Sequence, residues 1–186
     1  MGSFAHIFKP VVTAFVAVVG FSVPVWAQSA DIDALLRDLA DPSTENWQAV
    51  ERQIQAEWEK SGSASMDLLL QRGQKALEAE DYEAALEHFT ALTDHAPDFA
   101  EGWNGRATAL FQMQLYGPAL QDIRRTLALN PDHFGAIVGL AVILQETGYP
   151  EDALAAWRIL ERINPHRPEV KEAIERLEKD VGGATL

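Results

Sequence analysis

The side chains of this protein best suited to acid–base or metal chemistry are five histidines, His6, His88, His95, His133 and His166. The chain has no cysteine. That excludes a thiolate metal site, a cysteine nucleophile, a disulfide framework and lipid attachment through cysteine. The tightest group of ligand-type residues is Asp94, His95 and Asp98 around Pro97. A histidine beside aspartates in a turn is ordinarily solvated, and a metal site requires further ligands at helical spacing that converge on it. The other histidines supply none: His6 sits in an apolar N-terminal stretch, and the rest fall on helices or in the turns between repeated units. No glycine-rich phosphate loop, nucleophile elbow or zinc-protease helix motif occurs. The residues therefore imply no catalytic group, no metal and no cofactor. A hydrolase or metal protein is the weakest reading.

Composition points to binding. The 186 residues carry 28 acidic and 15 basic side chains, a formal charge of −13, with 47% hydrophobic residues. At this size one folded unit buries roughly two thirds of its unfolded surface. Nucleic acid and anionic membranes are poor partners for such a chain, because phosphate binding is driven by clustered Lys and Arg. A neutral or basic protein or peptide is electrostatically favoured.

Residues 1–27 differ from all that follow. They hold no Asp or Glu and one lysine, Lys9, then an apolar run from Val11 to Val23 and the sequence Pro24, Val25, Trp26, Ala27. This is the pattern of a secretory signal peptide cleaved between Ala27 and Gln28. No twin-arginine pair precedes the core, which favours the general secretion route. The expectation is an exported, periplasmic protein with no stable membrane insertion after cleavage. The alternative is an uncleaved N-terminal anchor, for which the run is short and Pro24 badly placed.

From residue 28 onward the pattern is helical, and most of it repeats. Residues 28–65 read as a helical hairpin: Asp31 caps Ile32, Leu35, Leu36 and Leu39, the sequence Asp41-Pro42 breaks the helix, and Ser43 or Thr44 caps a second with Trp47, Val50, Ile54 and Trp58 on one face. Pro97, Pro131 and Pro165 then recur every 34 residues, as do Ala85, Ala119 and Ala153, and Phe89, Ile123 and Trp157. This period divides the chain into units 66–99, 100–133 and 134–167, each a helix–turn–helix pair. Gly117-Pro118 and Tyr149-Pro150 mark turns within units. Asn130-Pro131 and Asn164-Pro165 end the second helices, with asparagine expected in the left-handed conformation. Residues 168–186 carry Val170, Ile174 and Leu177 on one helical face and end in a tail expected to be disordered from Gly182. Irregular end units are usual where one face of an array meets water.

The units resemble tetratricopeptide repeats. Gly73, Ala107 and Ala141 hold the small position of the first helix (A); Ala85, Ala119 and Ala153, then Phe89, Ile123 and Trp157, then the prolines, hold the pattern of the second (B). Arg72 and Arg106 depart from it, as does the lack of the helix A tyrosine. The resemblance covers residues 66–167 and implies an all-α, right-handed superhelical solenoid of antiparallel helix pairs. In it the 28–65 hairpin is expected to cap the N-terminal end and the last helix the C-terminal end. In that family the A helices line a concave groove. Carried over, the groove columns are Leu70, Asn104 and Val138; Gln74, Thr108 and Val142; Leu77, Phe111 and Gln145, with Gly105 and Gly139 nearby. Relatives that grip a free carboxylate do so with Lys, Arg and Asn; these columns contain Asn104 and no Lys or Arg. The implied function is a non-catalytic scaffold or adaptor of the bacterial envelope that binds a peptide segment on an apolar groove. The alternative is a self-associating structural subunit of an envelope complex.

Overall fold

The computed structural model describes residues 31–183, which form nine α-helices and no strand. The expected signal peptide and its cleavage point lie outside the described residues. Helices α1 (Ile32–Ala40) and α2 (Trp47–Trp58) make the hairpin; α3 (Ala64–Glu78) with α4 (Tyr82–His95), α5 (Ala100–Gln112) with α6 (Tyr116–Leu129), and α7 (Phe134–Glu146) with α8 (Pro150–Ile163) are three A–B pairs; α9 (Pro168–Gly183) follows. Neighbouring A helices touch directly, α3 with α5 and α5 with α7, which places them on the inner side of the curve. The fold is the all-α repeat solenoid that the period implied.

The turns inside the units explain the register. Each A helix ends in the same two bonds. The Leu115 N–H donates to Leu110 O at 2.8 Å and the Gln114 N–H to Phe111 O at 2.8 Å, and Asp81 with Glu80, and Tyr149 with Gly148, repeat the pattern. This Schellman cap requires a left-handed residue, found at Glu80 (φ 58°), Gln114 (φ 61°) and Gly148 (φ 85°), again 34 apart. Only the third unit has glycine there. A side chain in this conformation costs about 1–2 kcal/mol, partly offset by the greater entropy glycine loses on folding. Gln114→Gly is expected to raise stability by about 1 kcal/mol, and Gly148→Ala to lower it similarly, in chemical denaturation.

Asparagine does different work from that expected. Asn130 and Asn164 are extended, with φ −140° and −141°, and are not left-handed. Their side chains accept from Asp132 N–H at 3.2 Å and His166 N–H at 3.1 Å, so each Asn-Pro pair closes the loop to the next unit by an Asx turn. Two further corrections concern helix ends. The α2 N-cap position is Asn46, while the Thr44 hydroxyl donates to Asp38 O at 2.6 Å and closes α1 instead. Gly182 and Gly183 belong to the last turn of α9.

Arg106 replaces an apolar residue for a reason visible in its contacts. Its guanidinium donates twice to the buried Asp122 carboxylate, at 2.7 and 2.8 Å, and to the Thr93 hydroxyl at 3.0 Å, tying α5 to α6 and α4. The hydrogen bonds to Asp122 raise its pKa above the ordinary arginine value. Arg72, by contrast, is exposed.

The hairpin is not stacked beyond α3 as an end cap. It folds back along the array onto the third unit. Leu39 and Ile54 are fully buried in one cluster with Phe134, Ile137, Trp157 and Leu160. Burying each contributes about 1.5–3 kcal/mol. Glu51 accepts from Asn164 Nδ2 at 2.7 Å and from two nitrogens of Arg167. Trp47 stacks on His166 at 5.8 Å, and Trp58 on His133 at 5.1 Å. The turn Ser61-Gly62-Ser63, with Gly62 at φ 79°, leads back to α3.

Candidate functional site

The first two B helices each carry one bulky side chain that enters the seam between its own A helix and the next. Phe89 does this in the first unit. It is fully buried, and its ring lies between Gly73 of α3 and Gly105 of α5, so close that a Cβ on either would fall 2.6 or 2.3 Å from ring carbons. The same register places Ile123 between Ala107 of α5 and Gly139 of α7. Isoleucine is smaller than phenylalanine while the glycine is kept, and a Cβ on Gly139 would meet Ile123 Cδ1 at 3.3 Å. The second seam is underfilled.

The space appears as a cleft of about 240 Å³ between α5 and α7. Ile123, Ala107, Ala136 and Gly139 line it with Phe111, Val138 and Val142, and Asn104, Thr108, Gln112 and Gly135 complete it. Phe111 is braced by Tyr116, ring to ring at 5.7 Å. The Tyr116 hydroxyl is held by Glu146, which raises its pKa above the ordinary tyrosine value. Thr108 Oγ1 donates back to Asn104 O at 3.0 Å, so the helix itself satisfies this hydroxyl. The lining is mainly apolar, with amides at the lip.

A second cleft of about 260 Å³ adjoins the first, because Asn104 and Gly135 line both. Its other walls are Gln55, Trp58 and Glu59 of the hairpin, Gln74 of α3, Glu101 of α5, and His133 and Phe134 at the start of α7. His133 is a buried structural residue. Its Nδ1 accepts from Ala136 N–H at 3.1 Å, capping α7, so the ring proton is assigned to Nε2, which faces Glu101 Oε1 at 3.0 Å. Trp58 covers the ring. On the other side of the cleft, Gln74 Nε2 donates to Glu59 Oε1 at 2.8 Å.

Of the groove residues expected from sequence, Asn104, Thr108, Phe111, Val138, Gly139 and Val142 come together in the first cleft. The others do not. Leu70 is buried in the first unit's core and Leu77 packs against the same cluster. Gly105 lies beneath Phe89 and offers no backbone to a ligand. Gln145 accepts from the Trp157 indole N–H at 2.6 Å, and Gln74 faces the hairpin. Sequence reasoning missed Glu101 and Gly135, although they extend the Asn104–Val138 column by one helical turn at the same period of 34. It also missed Trp58 and Glu59, which nothing in the repeat pattern signals. The Asp94, His95 and Asp98 group is exposed, and Asp98 pairs with Arg125 at 3.0 Å. Among the described residues no three His, Asp or Glu side chains converge as metal ligands.

Comparison with known proteins agrees with this architecture. Residues 70–134 match the tetratricopeptide repeat family. A TPR repeat-containing protein of Rhizobium etli is 36% identical over 135 residues, which are 73% of this chain and 66% of that relative. The three other curated relatives are covered over 12% to 28% of their length. Among solved structures, the first TPR of Spaghetti bound to the HSP90 peptide SRMEEVD superposes with a TM-score of 0.60 at 19% identity, over 63% of this chain and 93% of that one. MamA superposes with a TM-score of 0.55 at 19% identity, over 81% of this chain and 80% of that one. At these identities the structures testify to the fold alone. The family match over residues 70–134, the 36% identity to the Rhizobium protein, the 34-residue period and the three A–B pairs together show that this chain belongs to the tetratricopeptide repeat family.

Proposed function

We propose that this protein is a non-catalytic adaptor that holds a segment of a partner protein in the cleft between α5 and α7, and that it works in the bacterial envelope after export by its N-terminal signal. The observation that carries the binding site is the underfilled seam. Phe89 closes the first junction, whereas Ile123 beside Gly139 leaves an apolar slot framed by amides. A preformed slot on rigid helices lowers the ordering cost of association, which is how a small contact area yields useful affinity. The Spaghetti domain solved with an HSP90 peptide offers precedent for peptide capture on this fold. The neutral, apolar lining here favours a side-chain anchor over a carboxylate grip. Export rests on the composition of residues 1–27, and N-terminal sequencing should find Gln28 first; Met1 would mean an uncleaved anchor.

The direct test fills the slot. Ile123→Phe copies the first junction into the second and should weaken recovery of a cross-linked partner at least about tenfold, with helical circular dichroism unchanged. Phe111→Glu should do the same by placing a charge in the cleft, and Asn104→Ala should have a smaller effect. Full recovery with both Ile123→Phe and Phe111→Glu would place the site elsewhere.

A further inference from the structure

We propose that the two adjoining clefts form one composite site, selective for a segment that carries a lysine or arginine close to an apolar side chain. It rests on the reading of the α5–α7 cleft as a binding site. The apolar group sits over Ile123 and Gly139, and the cation sits between Glu59 at the end of the hairpin and Glu101 of α5.

Three observations converge on this. The clefts are continuous at Asn104 and Gly135, so one extended segment reaches both. Among the described residues, no Lys or Arg lines either cleft. Among the described residues, the hydrogen bonds to the two carboxylates of the second come from His133 Nε2–H, which faces Glu101, and from the Gln74 amide, which donates to Glu59. Lys60, next in sequence to Glu59, is turned to Glu57 at 2.6 Å. The second cleft is therefore lined by two carboxylates, Glu59 and Glu101, and by no Lys or Arg among the described residues. A cationic side chain there gains a carboxylate pair. An acidic segment is repelled, in keeping with the chain's charge of −13. Because Glu59 belongs to the folded-back hairpin, the hairpin is part of the receptor.

The test is selection of a phage-displayed random peptide library on the mature full chain, followed by fluorescence anisotropy of the enriched peptides. Enriched sequences should place Lys or Arg within a few positions of Leu, Ile or Phe. Glu59→Gln with Glu101→Gln should weaken such a peptide about tenfold, as should added salt, and a Lys→Gln peptide should lose sensitivity to both. Enrichment of apolar peptides without a basic residue, or of acidic ones, overturns the proposal. If those peptides are still lost on Ile123→Phe, the cleft itself stands as the site. Peptides indifferent to Ile123→Phe, or no enrichment over that variant, count against both.

Discussion

Arg167→Ala should cost about 3–5 kcal/mol and free the α1–α2 hairpin, because it strands the Glu51 carboxylate in a site that is 9% exposed. Arg167 is the only cation on Glu51 among the described ion pairs, and Asn164 Nδ2 alone cannot neutralise it. The loss is expected to be local as well as global. Trp47 and Trp58 leave their histidine stacks, so tryptophan emission should shift, and protease should gain access near Gly62 while the A–B pairs stay helical. Glu51→Ala with Arg167→Ala should cost less than the two single losses added together, since the double variant buries no unpaired charge. Arg158→Ala is the matched control. Its partner Glu178 lies at 2.7 Å, but the two side chains are 52% and 49% exposed, and such pairs contribute about 0–1 kcal/mol. An Arg167→Ala protein as stable as Arg158→Ala would mean the hairpin is held by its apolar contacts alone.

The second large effect is Gly105→Ala, and here two principles oppose each other. Alanine in a helix interior is better than glycine by about 1 kcal/mol. The new Cβ, however, would lie 2.3 Å from the Phe89 ring, which cannot retreat because Gly73 already lies against its other side. Overpacking of this kind costs about 1–3 kcal/mol, and with the ring trapped the net result should be a loss of about 2 kcal/mol in denaturant unfolding. Phe89→Leu in the same chain should recover part of it by vacating the ring's space. Gly139→Ala should be far milder, since Ile123 Cδ1 is at 3.3 Å and the seam is open on one side. Equal losses at Gly105 and Gly139 would contradict the account of how the cleft arises.

The same contrast shows what a reader of the sequence can and cannot see. The period of 34, the small residues Gly73, Ala107 and Ala141, and the bulky series Phe89, Ile123 and Trp157 are local signals, and they specify the A–B pairs and their register. The series even contains the cause of the cleft, a Phe-to-Ile step opposite a retained glycine. It becomes legible only once Gly105 and Gly139 are known to face that series across the seam. Leu70 and Gln145 were misplaced because a helix face shows which residues are neighbours but not which neighbour is covered by the adjoining helix. The hairpin was beyond reach for a different reason. Glu51 meets Arg167 across more than a hundred residues, and the amphipathic pattern of α2 fits burial against α3 as well as burial against α7 and α8. The left-handed positions Glu80 and Gln114 were hidden by their residue types, since neither is glycine.

Photocross-linking in the cells that make the protein tests the central claim, that a partner segment occupies the α5–α7 cleft, most directly. A photoreactive residue replacing Thr108, which is exposed and lines that cleft, is compared with one replacing Gln121, exposed on α6 outside it. Adducts should form at position 108, disappear when Ile123→Phe is added, and be scarce at position 121. Equal adducts at both positions, or adducts at 108 that survive Ile123→Phe, would contradict it.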